Sequence, residues 1–254
     1  EAIKLDRIAF ALLGGRGSCS GRVTLSPRLE LDLAIHVDRV RWPVITGLAP
    51  VLTGDLRLGG PLESLSLTGE VQLDRTVYRE RLNLQSLVLQ EILGPDRVAV
   101  GEAEPMSFSL LVKIPGTLEV DTDLAEFTAR GDLRLVGTSE RPGLVGRLEA
   151  LPGAEMYLAG QRYELDRGTV TFSRPDSIEP FLDILARTEV SSFEITVALV
   201  GTLDRMTPTF TSNPPLVEMD IISLLSTGKK ADDAAQWQTG NVASSFITEQ
   251  LAGA

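Results

Sequence analysis

The 254-residue chain carries 24 Lys and Arg against 35 Asp and Glu, a formal net charge of −11 at pH 7. So acidic a surface repels phosphate backbones, and no basic run offsets it, so we expect no nucleic-acid partner. One histidine and one cysteine exclude a His/Cys metal site, an internal disulfide and most nucleophilic enzyme chemistry.

Alternation of apolar and polar residues predicts strands along most of the chain. From Leu29 to Asp38, aliphatic side chains alternate mainly with charged ones, and the pattern recurs at 82–89, 108–114 and 195–199. Successive side chains of a strand point to opposite faces, so each segment predicts a half-buried strand with one apolar face. Glycine- and proline-rich turns separate these segments.

A short repeat of the form Gly-x-apolar-x-apolar runs through this pattern. It begins at Gly21, Gly54, Gly69, Gly116, Gly131, Gly146 and Gly168. Each unit predicts one short strand entered through its glycine, which makes the chain quasi-repetitive. In the units at 116, 131 and 146, the third residue after glycine alternates as Glu119, Arg134 and Glu149. These charges would attract each other in a parallel β-solenoid, whereas an antiparallel meander would separate them by two strands.

Two segments near the C-terminus break the strand pattern. Met219, Ile222 and Leu225 have helical spacing and are followed by Gly228, which predicts a helix that ends there. Apolar pairs four residues apart predict a second, amphipathic helix over about 234–251. We therefore predict an elongated β domain over 1–230 and a short amphipathic helical tail over 231–254.

Residues with catalytic potential are few. His36 lies on the polar face of its strand and is interpreted as solvated. The glycine-rich segment 14–21 precedes a strand rather than a helix, so it predicts a flexible connector and no phosphate loop. Cys19 lacks a basic cluster that would activate its thiol, and the acidic run 121–126 lacks the turn glycine of a calcium loop. We predict no enzyme activity, no catalytic residue, no metal and no cofactor.

Residues 168–228 contain a series of ordered elements. They are Gly168-x-Val170-x-Phe172, Ile178-x-Pro180, Leu182-Asp183-Ile184 with Ala186 and Thr188, Ile195 to Gly201, Ser212-x-Pro214-Pro215-Leu216, and Asp220-Ile221 to Leu225 with Gly228. In these elements the chain resembles the TamB C-terminal domain family of translocation and assembly module proteins. The resemblance is strong after about Gly116 and looser before it.

The resemblance implies a long curved antiparallel sheet, folded like a taco around an open hydrophobic groove. It implies a periplasmic segment of a protein that bridges the inner and outer membranes, anchored in the inner membrane by an N-terminal helix absent from this chain. Such proteins carry phospholipid, assist outer-membrane and autotransporter protein assembly, and engage an outer-membrane barrel protein of the TamA type. The strands that contact that barrel are expected to be missing from this chain.

The groove prediction names apolar residues that share a phase in their strands. These lipid-groove residues are Leu118, Val120, Leu133, Leu135, Leu148, Met156, Leu158, Val170, Phe172, Leu182, Ile184, Ile195, Val197 and Leu199. Their predicted role is to solvate phospholipid acyl chains or another apolar chain. The alternative is a closed β-solenoid scaffold whose filled interior holds no lipid, and acidic pairs leave a β-helical carbohydrate-active enzyme as a third hypothesis.

Overall fold

The computed structural model describes residues 1–42, 49–79, 106–158, 160–202 and 204–227. The described residues form a 14-stranded sheet, a one-turn 3-10 helix at Leu62–Ser64 and helix α1 (Glu218–Thr227). The strands are β1 (Ala2–Leu12), β2 (Gly15–Thr24), β3 (Glu30–Arg41), β4 (Val51–Pro61), β5 (Ser66–Leu73), β6 (Thr76–Tyr78), β7 (Ser107–Asp121), β8 (Ala125–Thr138), β9 (Pro142–Ala150), β10 (Glu155–Leu158), β11 (Gln161–Phe172), β12 (Phe181–Val190), β13 (Phe193–Thr202) and β14 (Arg205–Asn213).

Strand order follows chain order, and most neighbours are antiparallel. Strands β9 and β10 lie end to end between β8 and β11, pairing with both. Strands β5 and β6 lie end to end against β7, and both pair with β7 in parallel. The all-β prediction is confirmed, but the sheet is mixed rather than antiparallel throughout, because the chain returns to β7 through a crossover instead of a hairpin.

Most predicted elements that can be compared are present. The alternating segment that starts at Leu29 is in β3 from Glu30 onward, the segments that start at 108 and 195 are in β7 and β13, and the first predicted helix is α1. The 82–89 strands, the second helix and the 231–254 tail lie outside the described residues, so the domain division remains a prediction. Segment 14–21 is not a flexible connector, because all but its first residue is in β2.

Five irregularities line up across the sheet. They are the bulges at Val37–Val40 in β3, Ile114–Leu118 in β7 and Leu165–Arg167 in β11, and the breaks between β5 and β6 and between β9 and β10. Strand pairing places them side by side. Val37 pairs with Gly54 in β4, Gly54 pairs with Val71 in β5, and Val71 pairs with Val112, two residues before the β7 bulge. Bulges bend the strands that contain them, so bending is concentrated along this line, which we call the crease.

Burial identifies the inner face of the fold. Val40, Leu73, Ile114 and Ala129 lie along the crease on one face of the sheet and are at most 5% exposed. At that part of the sheet, the described residues provide no second layer to cover them, because α1 packs at the β14 end. We call this face, with its buried residues, the inner face, and we call the opposite side the outer face.

The repeat glycines lie within strands rather than at their entrances, contrary to the sequence interpretation. Gly131 in β8 has a φ of +153°, and Gly146 in β9 has a φ of +144°. A methyl group on Gly131 would overlap the carbonyl oxygen of Arg147, and one on Gly146 would overlap that of Asp132. Glycine is required there because the bent strands bring the neighbouring backbone against the position of a side chain.

Helix α1 closes the inner face at the C-terminal end of the sheet. Ile221, Ile222, Leu224 and Leu225 are at most 5% exposed. They form one hydrophobic cluster with inner-face residues of β10 to β14, including Leu158, Tyr163, Ala186, Ile195, Val197, Leu199 and Phe210. The apolar face is thus covered by the chain itself at this end.

Candidate functional site

The inner face is apolar from β1 to β14. Residues that pair across strands share a face, so one row of the face can be followed through the register. The row that begins in β3 contains Ile35, Leu56, Gly69, Leu110, Leu135 and Leu144. A second row, toward the C-terminal end, contains Ile114, Gly131, Leu148, Val170, Leu182, Gly201 and Met206.

Charged side chains of the described strands lie on the outer face of the sheet or in its bulges. In the described strands, no regularly paired inner-face position carries Asp, Glu, Lys, Arg or His. On the outer face, ion pairs link neighbouring strands, with Asp32 and Arg57 2.8 Å apart and Glu70 and Lys113 2.6 Å apart. Exposed pairs of this kind stabilise a fold only slightly, so their main effect is to keep the outer face hydrated.

All fourteen predicted groove residues lie on the inner face. Ten are half-buried: Leu118, Val120, Leu133, Leu135, Leu148, Met156, Val170, Phe172, Leu182 and Ile184. The other four, Leu158, Ile195, Val197 and Leu199, are buried in the cluster that α1 closes. Of the ten half-buried residues, Met156 and Ile184 pack against that cluster, and the other eight lie outside it.

The sequence prediction omitted the N-terminal half of the inner face. Leu33, Leu56 and Val71 belong to the same apolar surface, and their alternation in β3 to β5 was the signal that could have placed them there. On the edge strand β1, Ile3 and Ile8 are 48% and 50% exposed. The face is therefore most open at β1 and closed at α1.

Tyr163 is the most buried polar side chain on the inner face. It is 0% exposed, and its hydroxyl has no hydrogen-bond partner among the described residues. Burial raises the pKa of Tyr163 to about 12, because the ionised phenolate would be desolvated. An unpaired buried hydroxyl is a net cost to folding, since it gives up hydrogen bonds to water.

Tyr163→Phe is therefore expected to leave stability at pH 8 unchanged or slightly raised. In the wild type, the unfolded tyrosine ionises near pH 10 and the folded one near 12, so stability falls by about 2–3 kcal/mol across that interval. The variant should lack this part of the decline, as measured by urea unfolding between pH 8 and 11.5. A loss of more than about 1 kcal/mol at pH 8 would show instead that the hydroxyl makes a stabilising bond.

The structure also places His36, the potential metal ligands and the 15-residue units. His36 is exposed, and its Nδ1 lies 2.8 Å from Asp55 Oδ1 on the outer face. Among the described residues, no group of His, Cys, Asp or Glu is placed to hold a metal ion. Gly131 pairs antiparallel with Ile114 and with Leu148, so the 15-residue units do not stack in parallel as a solenoid would require.

Comparison with known protein families decides the classification of this sheet. A family model described as the TamB C-terminal domain matches residues 7–254. The chain belongs to the TamB C-terminal domain family. No curated protein matches the sequence. TamB domains are non-enzymatic modules of the periplasm that act in envelope assembly, in general with TamA-type partners. Within the described ranges, no helix of this TamB domain is both long and apolar enough to span a bilayer.

Proposed function

We propose that the inner face of this TamB domain is a groove that carries the acyl chains of phospholipid through the periplasm. The observation that supports this most is the pair of apolar rows on the inner face, from Ile35 to Leu144 and from Ile114 to Met206, with charged residues on the outer face. Leu135 and its row neighbours are half-buried rather than packed beneath a second layer. The domain would be one segment of a conduit between the membranes, in a protein anchored in the inner membrane as the family resemblance implies.

The energetics favour an extended apolar cargo. Covering apolar surface stabilises a complex by about 25 cal/mol per Å² of surface removed from water. A flexible acyl chain can follow the row of side chains from Ile35 to Leu144 without meeting a charge. The headgroup would stay at the edge of the groove, since burial of an unpaired charge is costly.

A second cargo of the same character is a strand of an outer-membrane protein before its assembly. Such a strand carries apolar side chains on one face at every second residue, which matches the period of the groove. This role includes a TamA-type barrel partner at the C-terminal end of the domain. A scaffold without cargo is the remaining alternative, and it predicts that no probe on the inner face captures lipid.

The test places a photocrosslinking amino acid at Leu135 and, as a matched control, at the adjacent outer-face residue Arg134. Capture of phospholipid in cells is expected at Leu135 and not at Arg134. Leu135→Asp should lower capture by a second probe at Leu56 at least about tenfold, because the charge loses water when cargo covers it. Mass spectrometry of the adducts identifies the lipid.

Two results would contradict the proposal. One is capture at Arg134 that equals capture at Leu135, which would indicate non-specific contact with membranes. The other is no capture at either inner-face position while the domain remains folded, which would favour the scaffold. Capture of unfolded outer-membrane protein at Leu135 in place of lipid would assign the second cargo.

A further inference from the structure

Three arginines line a cavity at one end of the sheet. The cavity has a volume of about 550 Å³ and lies between the β1–β2 turn and the facing ends of β3 and β4. Arg16, Arg39 and Arg41 line it together with one carboxylate, Asp38. Three guanidinium groups against one carboxylate leave an excess of positive charge in a chain whose net charge is −11.

Several other cations of the sheet are closely paired with carboxylates, in contrast to those at this cavity. Arg57, Arg75, Lys113 and Arg167 each lie within 3 Å of a carboxylate on a neighbouring strand. In the described part of the chain, Arg16 and Arg41 form no ion pair, and Arg39 Nε lies 3.6 Å from Asp38 Oδ1.

A cleft of similar size provides a comparison. It has a volume of about 560 Å³ and is lined by Lys113, Arg130 and Arg147 together with Asp132 and Glu149. Lys113 is 2.6 Å from Glu70, and Arg130 is 3.5 Å from Glu149, so two of its three cations are paired with a carboxylate. The charge excess at Arg16, Arg39 and Arg41 is therefore not a general property of the outer surface.

The backbone at the cavity is irregular in a way that positions the arginines. Arg39 lies in the β3 bulge with a φ of +52°, a conformation that a non-glycine residue adopts at a cost. Its N–H donates to the Thr53 hydroxyl at 3.1 Å, and that hydroxyl donates to Asp74 at 2.7 Å. A methyl group on Gly15 would lie 2.5 Å from the carbonyl oxygen of Arg39, so glycine permits this close approach.

We propose that Arg16, Arg39 and Arg41 form a binding site for a phosphate group, from a phospholipid headgroup or from free phosphate. Guanidinium groups present planar pairs of donors that match the oxygens of phosphate, and they remain charged at all physiological pH values. Leu12 and Leu13, at the adjacent turn, are 42% and 46% exposed and would contact the apolar part of a lipid. The lipid source rests on the proposed function, whereas phosphate binding does not.

The test is a titration of the full ¹⁵N-labelled chain at constant ionic strength, read from the arginine Nε–Hε signals. One arm uses sodium phosphate, and the other uses dihexanoyl phosphatidylglycerol below its critical micelle concentration. Saturable shifts are expected at Arg16, Arg39 and Arg41. A response to both ligands assigns the headgroup as one source, and a response to phosphate alone assigns free phosphate.

The variant R16Q/R41Q should weaken phosphate binding at least tenfold. R22Q/R134Q removes the same charge from outer-face positions that form no ion pair in the described residues, and it should change affinity less than twofold. Equal weakening by both variants, or no saturable shift in the wild type, would overturn the site. Lipid capture at Leu135 is measured separately, so failure of the phosphate site and failure of the groove are distinguishable.

Discussion

Gly131→Ala is expected to destabilise the domain by about 3–5 kcal/mol. The added methyl group would overlap the carbonyl oxygen of Arg147 on β9, at a φ of +153° that alanine rarely adopts. To make room, β8 and β9 would have to separate where the crease passes, which breaks backbone hydrogen bonds. Chemical denaturation followed by circular dichroism measures the loss, and Gly146→Ala should reproduce it from the opposite strand.

Gly153→Ala is the matched control for this prediction. Gly153 also has a positive φ, +87°, but no atom lies within 4 Å of the position of an added methyl group. Only the backbone conformation is penalised, at about 1–2 kcal/mol. Equal losses at Gly131 and Gly153 would mean that the close approach of β8 and β9 at Gly131 contributes nothing to the cost.

Ile221→Asp is expected to detach α1 from the sheet, at a cost of about 4 kcal/mol or more. Ile221 is 1% exposed within the cluster that contains Ile195 and Val197, so the carboxylate would be buried without a partner. Release of the helix would expose Tyr163 to water, and its pKa should fall from about 12 toward the ordinary value near 10. Absorbance titration resolves this change because the chain has 3 tyrosines.

Met219→Asp is the control that separates loss of α1 packing in Ile221→Asp from the effect of Asp on helix propensity. Met219 lies on the same helix but is 39% exposed, and an acidic residue in the first helical turn is favourable. Its stability should differ from the wild type by less than about 0.5 kcal/mol. If Ile221→Asp left the pKa of Tyr163 unchanged, burial of that side chain would not depend on α1.

The strands and the apolar face were predictable because they depend on local alternation. A strand with one buried face must have apolar residues at every second position, as Leu33 and Ile35 show in β3 and Val197 and Leu199 show in β13. The same logic places all fourteen groove residues on one side. Whether that side is open to cargo is a separate question, because period alone does not show that α1 buries Leu158, Ile195, Val197 and Leu199.

Features that depend on contacts between distant residues were not predictable. The bulge at Ile114–Leu118 contains Pro115 and Gly116, a dipeptide that reads as a turn between strands, although β7 continues through it. The role of Gly131 depends on the backbone of β9, which local sequence does not reveal. Arg16 and Arg41 are far apart in sequence, and only the pairing of β1 to β4 brings them to one cavity.

The parallel join of β5 and β6 to β7 divides the assembly of this domain into stages. β1 to β5 form a ladder of consecutive hairpins, and from β7 onward sheet neighbours are also close in sequence, so both ladders can nucleate through short loops. The join instead requires closure of the connection from Leu73 to Ser107, which delays its formation. The two ladders should therefore behave as separate cooperative units in native-state hydrogen exchange. The parallel pairing of β5 and β6 with β7 should form last during folding and open first during unfolding.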